Sequence, residues 1–152
     1  YLQNHLRILS AFYGILKPLD GVTPYRLEMQ AKAEIEETTN LYDYWGDRLY
    51  HSVIDDSRTI INLASKEYSK CIERYLSDKD NYITITFCEL SGDKLVTKGT
   101  YAKMARGEMV RFMAENNIEN PVDIQKFDRL GYTFRGNLSS ETEYVFERKI
   151  IK

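Results

Sequence analysis

The longest helical pattern of the chain runs from Thr100 to Asn117. Apolar side chains recur there every three or four residues, at Tyr101, Ala105, Met109, Phe112 and Met113. Basic side chains fall on the opposite arc, at Lys103, Arg106 and Arg111, with Gly107 between them. The pattern predicts one long amphipathic helix whose outer face is basic.

Alternating and β-branched runs predict most of the strands. Apolar residues alternate with threonine from Tyr82 to Leu90, and Lys94 to Lys98 is predicted to pair back on this strand through a turn at Ser91-Gly92-Asp93. The other predicted strands are Thr59 to Ala64 and a closing antiparallel pair, Tyr132 to Arg135 and Glu143 to Lys149.

Shorter helices complete the prediction. Leu41, Trp45, Leu49 and Val53 predict a helix from Leu41 to Asp55, with Asn40 as its cap and Gly46 inside it. The other predicted helical segments are Ala11 to Leu16, Ser65 to Arg74 and Val122 to Phe127, whereas Ala31 to Thr39 is predicted to be a solvated loop or helix face. The chain is therefore predicted to be a single mixed α+β domain over residues 1–152, with a central mostly antiparallel or mixed sheet flanked by helices.

Charge is distributed unevenly along the chain. The 152 residues carry a formal net charge of −2 and a pI near 5.8, so the composition gives no global signature of nucleic-acid binding. Between Lys98 and Met113, however, four basic residues accompany one acidic residue, Glu108, which gives a local charge of +3. Any contact with nucleic acid must therefore come from such a local patch.

Residue types and spacings exclude several classes of site. The histidines (His5, His51) and cysteines (Cys71, Cys88) have no zinc-binding spacing, and no dinucleotide-binding, Walker or G-x-S-x-G motif is present. We therefore expect no metal and no cofactor.

The widely separated cysteines predict free thiols in a reducing compartment, and the apolar runs are too short to span a bilayer. We expect a cytoplasmic protein that does not bind membranes.

The first candidate site is a basic surface suited to phosphate. Arginine offers a fork of donors to phosphate oxygens, and a glycine beside it leaves room for a nucleic-acid backbone. The candidate residues are Lys103, Arg106, Gly107 and Arg111 on the predicted helix, with Lys17 and Arg26 flanking the proline-containing loop. The alternative for this surface is a solvated face that balances acidic neighbours.

The second candidate site is catalytic. Glu67 follows Asn62 and Ser65 and precedes Tyr68, and a buried carboxylate in such a setting could act as a general acid or base. The alternative is a glutamate on a helix surface, with Ser65 serving only as the helix cap.

Several short segments of the sequence are more specific in residue type than their predicted secondary structure and packing require. They are Leu6 to Asp20 (LRILSAFYGILKPLD), Pro24 to Met29 (PYRLEM), Leu41-Tyr42 with Trp45-Gly46, Ile61 to Ser65 with Glu67-Tyr68, Ala102-Lys103 with Ala105-Arg106-Gly107 and Arg111-Phe112, and Gly131-Tyr132 with Phe134. In this order and spacing they resemble the YaaA family of bacterial peroxide-stress-resistance proteins. The resemblance runs from about Leu6 to the C-terminus.

The resemblance implies a cytosolic DNA-binding protein with a mixed α/β fold, a basic cleft and a helix-hairpin-helix-like element. It places the family's Ala-Lys-x-Ala-Arg-Gly motif on Lys103, Arg106 and Gly107. Lys17 replaces an arginine that is usual in the family. The positive charge is kept, but the planar fork of N–H donors of the guanidinium is lost. The turn of the helix-hairpin-helix would fall at Leu9 to Gly14, where this sequence departs from the usual turn pattern of that motif. Family members begin with a strand and a Pro-Ala-Lys-Thr stretch, absent here, so we expect an N-terminally truncated member.

Two functional hypotheses follow. The favoured one is a DNA-binding protein of the peroxide stress response, without enzymatic activity, that limits iron-dependent oxidative damage to double-stranded, damaged or single-stranded DNA. The alternative is an enzyme that acts on a nucleobase or nucleotide, with Glu67, Asn62, Ser65 and Tyr68 in a pocket. The oligomeric state is not predicted.

Overall fold

The computed structural model describes residues 1–91 and 94–149. The chain forms two compact units, one of Tyr1–Ile60 with Ala64–Asn81, the other of Ile61–Leu63 with Tyr82–Lys152. The predicted turn at Gly92 and Asp93 lies outside the described residues, and the prediction of one domain over the whole chain stays a prediction.

The first unit contains short helices and two β-hairpins. Its elements are α1 (Leu2–His5), β1 (Ile8–Ser10), β2 (Gly14–Leu16), β3 (Lys32–Ile35), β4 (Thr38–Asn40), α2 (Leu41–Trp45), α3 (Arg48–Val53) and α4 (Lys66–Glu73). The β1 and β2 strands pair antiparallel from Ile8↔Leu16 to Ser10↔Gly14. The predicted helix Ser65 to Arg74 is confirmed by α4.

The prediction of a helical turn from Ala11 to Leu16 is wrong, because the chain turns back as a hairpin there. Ser10 Oγ accepts hydrogen bonds from the backbone N–H groups of Phe12 (3.2 Å) and Tyr13 (2.9 Å), which stabilise the turn. Gly14 then adopts φ +80°, a conformation that a helix excludes. The proposed helix-hairpin-helix turn at residues 9–14 is therefore part of a β-hairpin.

The predicted helix from Leu41 to Asp55 is two helices. Asn40 caps α2 as predicted, since its Oδ1 accepts from the N–H of Asp43 at 3.0 Å. Gly46 ends α2 with φ +54°, and α3 starts two residues later. Trp45 packs closely on a different glycine, Gly14, where a Cβ would lie 2.9 Å from the indole ring.

The segment from Ala31 to Thr39 was predicted as a loop or helix face and is instead the β3–β4 hairpin. Glu36 takes φ +55° at the turn, and the Thr38 hydroxyl donates to the carbonyl of Ile35 at 2.8 Å. The acidic side chains of this segment, Glu34, Glu36 and Glu37, are exposed on the hairpin.

A mixed sheet organises the second unit, as predicted. Its strands are β5 (Thr59–Asn62), β6 (Asn81–Ser91), β7 (Lys94–Val96), β8 (Tyr132–Phe134) and β9 (Glu143–Arg148), in the order β5-β6-β9-β8 with β7 paired to β6. The β6 and β9 strands run parallel, whereas β7 on β6 and β8 on β9 are antiparallel. The sheet and its helices confirm the α+β class.

The long helix α5 (Gly99–Glu115) covers this sheet, close to its predicted bounds. Its buried residues are Ala102, Ala105, Met109 and Phe112, which pack in one cluster with apolar residues of β6 and β9. Tyr101, predicted to face the core, is 41% exposed, because the buried stripe passes through Ala102 instead. A 3₁₀ helix (Pro121–Lys126) follows where an α-helix was predicted.

Candidate nucleic-acid interface

The outer face of α5 presents Lys103, Arg106 and Gly107 together. Positions three and four apart on a helix are neighbours, so these residues form one patch, which we call the basic patch. Lys103 and Gly107 are exposed and Arg106 is half-buried. A Cβ built on Gly107 meets nothing within 4 Å. The space above the glycine is therefore open to a ligand.

Arg106 is a partly desolvated cation that has no acidic partner within the described part of the chain. Its Nε is buried and has no hydrogen-bond acceptor. Burial lowers the pKa of Arg106 from its usual value, although an arginine remains charged at neutral pH. A buried donor without an acceptor costs free energy, which an anion bound at this position would recover.

Lys103 is also unpaired. Within residues 1–91 and 94–149, neither Lys103 nor Arg106 forms an ion pair within 4 Å. Lys98, which contributed to the local charge of +3, differs, since its Nζ lies 3.0 Å from Oε2 of the fully buried Glu89. The free positive charge of α5 is therefore concentrated in the basic patch.

Arg111 takes part in a network of acidic and basic side chains. Its Nε donates to Glu115 Oε1 at 2.7 Å, and that carboxylate also accepts from Arg129, whose second nitrogen donates to Glu108. The hydrogen bond from Arg111 and the charge of Glu115 raise the pKa of Arg111. Two cations and two carboxylates thus leave no net charge, and Arg111 adds less to the patch than the sequence predicted.

The first unit contains a separate concave site of about 530 Å³, which we call the hairpin groove. It is lined by Arg7, Tyr13, Ile15, Lys17, Asp20, Trp45, Arg48, Leu49 and Ser52. Three of these residues are basic and one is acidic. The sequence identified Lys17 as a phosphate-binding candidate but missed Arg7 and Arg48.

The other predicted basic residue of this unit is Arg26. It is exposed, lies in the irregular segment between β2 and β3, and does not line the hairpin groove. Lys17 and Arg26 belong to the first unit and the basic patch to the second. Their assignment to one DNA-binding surface stays a prediction.

The alternative catalytic residues are divided between the units. Asn62 belongs to the second unit, is buried, and donates from Nδ2 to Thr84 Oγ1 at 3.3 Å. Ser65, Glu67 and Tyr68 belong to the first unit, where Glu67 Oε1 accepts from the backbone N–H of Gln30 at 3.3 Å. Ser65 is at the cap position of α4 but makes no capping hydrogen bond from its side chain.

Glu67 is neither fully buried nor part of the lining of the hairpin groove. Glu67 is half-buried and lies near Tyr68, whose pKa is raised mainly by burial and further by the negative charge of Glu67. The four residues are absent from the lining of the hairpin groove. Their catalytic role stays a prediction.

Metal and membrane sites were also sought. The described ranges contain no group of three or more histidine, cysteine or acidic side chains arranged to hold a metal ion. Both cysteines are free and buried, as predicted for the thiols. Within those ranges, no helix combines the length and the apolar character needed to cross a bilayer.

Comparison with known proteins gives consistent matches. Residues 1–138 match the family described as "Peroxide stress protein YaaA". A "UPF0246 protein" of Agathobacter rectalis is 79% identical over 150 residues, which make up 99% of this chain and 60% of that relative. A "UPF0246 protein" of Lachnoclostridium phytofermentans is 57% identical over 146 residues, 96% of this chain and 57% of the relative. The chain therefore spans about 60% of the length of these relatives.

Proposed function

This chain belongs to the peroxide stress protein YaaA family, and from that membership we propose that it binds DNA through the basic patch of Lys103, Arg106 and Gly107. One observation carries the proposal. Both cations of the patch lack an acidic partner among the described residues, whereas Lys98, Arg111 and Arg129 around them are each paired with a carboxylate. Phosphate groups of a DNA backbone supply the missing anions.

The shape of the patch supports a backbone contact. Lys103 is exposed to solvent, Arg106 offers a planar fork of N–H donors, and Gly107 leaves the helix surface open beside Lys103. Contacts of this kind position a protein on DNA without reading the base sequence. We therefore propose binding that does not depend on sequence, to double-stranded, damaged or single-stranded DNA.

Protection from peroxide follows from the same electrostatics. Cationic side chains that neutralise phosphates release the counterions condensed on DNA. Ferrous iron held among those counterions generates radicals from peroxide next to the nucleotide that it damages. Displacing it moves the reaction away from DNA. This role places the protein in the cytoplasm, where the chromosome of a bacterium lies.

The proposal is tested by fluorescence anisotropy with a labelled duplex and a labelled single strand of random sequence. The double variant Lys103→Ala/Arg106→Ala is expected to bind both probes at least about tenfold more weakly, since each charge-assisted contact is worth about 1.5–3 kcal/mol before solvent screening. Lys126→Ala is the matched control, because Lys126 is an exposed lysine paired with Asp123 at 2.7 Å. Equal affinity of the double variant and the control contradicts the proposal.

A further inference from the structure

We propose that the hairpin groove of the first unit is a second site, which binds a small phosphorylated molecule of the size of a mononucleotide. The site does not depend on the basic patch, since all its lining residues belong to the first unit. Its volume of about 530 Å³ lies in the range of small-molecule sites, about 300–1,000 Å³.

The β1–β2 hairpin brings two like charges together in the groove. Ile8 pairs with Leu16, so Arg7 and Lys17 follow as the next opposing positions beyond this pair. Like charges opposite each other on paired chains repel and cost stability. Within the described residues, neither side chain is paired with a carboxylate within 4 Å. A bound phosphate would offset that repulsion.

The acidic residues near these cations offset their charge only in part. Asp20 lines the groove, but its Oδ2 accepts from the backbone N–H of Lys17 at 2.7 Å. The pKa of Asp55 is lowered first by hydrogen bonds from Ser57, with the charge of Arg7 a smaller cause. The first unit as a whole has ten basic and thirteen acidic side chains, for a net charge of −3. The groove is therefore a positive site in an acidic unit.

Arg48 supplies a third cation in a fixed orientation. Its Nε donates to the carbonyl of Trp45 at 3.0 Å, and a terminal nitrogen donates to the carbonyl of Tyr44. The guanidinium lies 4.8 Å from the centre of the Tyr44 ring and 5.2 Å from that of Trp45. These contacts hold the arginine in place before a ligand arrives, and such preorganisation favours binding.

The remaining wall of the groove is aromatic and rigid. Trp45 donates from Nε1 to the carbonyl of Ala11 at 2.9 Å and is packed on Gly14. The Tyr13 hydroxyl accepts from the backbone N–H of Thr23 at 2.9 Å. A flat apolar wall next to three cations matches a molecule that combines a phosphate with a planar ring, as a nucleotide does.

Isothermal titration with AMP, adenosine and a single-stranded oligonucleotide without terminal phosphates tests the inference. AMP is expected to bind, adenosine at least about tenfold more weakly, and Lys17→Ala or Arg48→Ala to weaken AMP binding about tenfold by removing one charge-assisted contact. The control Lys32→Ala removes an exposed lysine of the same unit that does not line the groove, and should bind AMP as the unaltered protein does. Far-ultraviolet circular dichroism verifies that each variant is folded, since the groove variants lie too close to Trp45 for its fluorescence to serve as that control.

The inference is overturned by the absence of AMP binding at millimolar concentration, by adenosine binding as tight as AMP, or by equal losses in Lys17→Ala and Lys32→Ala. Lys17-dependent binding of the oligonucleotide without any binding of AMP would also overturn it, because the groove would then contact DNA. Since the variants leave Lys103 and Arg106 intact, failure here does not affect the proposed DNA binding of the basic patch.

Discussion

Arg111 and Glu115 form a hydrogen-bonded ion pair on α5, with 2.7 Å between Nε and Oε1. The pair distinguishes Arg111 from Lys103 and Arg106, although all three are basic residues of one helix. A cation whose charge is already balanced by a carboxylate gains less from a phosphate than one without such a partner. Among the described residues, the helix therefore has two cations without an acidic partner and one that is neutralised.

We predict that Arg111→Ala changes DNA affinity less than about twofold, whereas Arg106→Ala weakens it about tenfold. The same anisotropy titrations measure both variants. If Arg111→Ala weakens binding as much as Arg106→Ala, the ion pair opens on DNA and the patch extends along the whole helix.

Substitutions of Gly107 test whether the open space at the basic patch is used for DNA contact. It lies inside α5 with no close neighbour, so Gly107→Ala should raise the free energy of unfolding by about 1 kcal/mol, because alanine favours helix more than glycine does. Gly107→Glu should place a carboxylate one helical turn from Lys103, where it offsets the positive charge of the basic patch and weakens DNA binding. Urea denaturation measures the first effect and anisotropy the second. Unchanged affinity in Gly107→Glu would exclude a contact at this position.

Position 14 requires glycine because of its backbone conformation and because Trp45 lies against it. At φ +80° a side chain is strained, and its Cβ would lie 2.9 Å from the ring of Trp45. We expect Gly14→Ala to lower the free energy of unfolding by about 1–3 kcal/mol and to change the fluorescence of Trp45. Gly21→Ala is the matched control, because a Cβ there meets nothing within 4 Å. Equal stability of both variants would be inconsistent with the tight packing of Gly14 on Trp45.

Cys71 is predicted to be unreactive in the folded protein. Burial raises the pKa of its thiol to about 11, with the positive charge of Arg74 only partly opposing the shift. At pH 7 about one thiol in ten thousand is ionised, and the thiolate is the form that peroxide and alkylating reagents attack. Burial also raises the pKa of Cys88. Iodoacetamide should label both cysteines in urea and neither in the native protein, whereas fast native labelling would reveal a reactive thiol.

Sequence patterns predicted the elements that are long and regular. The helix α5 and the strand β6 extend over 17 and 11 residues, so their periodicity identifies them. Two of the errors lie at residues 11–16 and 41–55, where Gly14 and Gly46 adopt positive φ and reverse or interrupt the chain. Periodicity does not show whether a glycine takes that conformation, because packing on Trp45 and capping of α2 decide it.

The candidate sites show the same contrast between residues that are close in sequence and residues that only the fold brings together. Lys103 and Arg106 are three residues apart on one helix, and the sequence alone places them together. Arg111 is neutralised by Glu115, a partner four residues along the same helix that the sequence also places beside it. Arg129, by contrast, is remote in sequence and reaches Glu115 only in the folded unit. The hairpin groove depends on the register that brings Arg7 beside Lys17, and the sequence-based prediction of a helix at that point concealed it.

The salt dependence of DNA binding tests the role of the basic patch most directly. Each phosphate neutralised on duplex DNA contributes about −0.9 to the slope of log affinity against log salt. The account predicts that Lys103→Ala/Arg106→Ala reduces the magnitude of that slope by about 2, while Lys126→Ala leaves it unchanged. A slope for the double variant equal to that of the unaltered protein would contradict the assignment of these two residues to DNA phosphates.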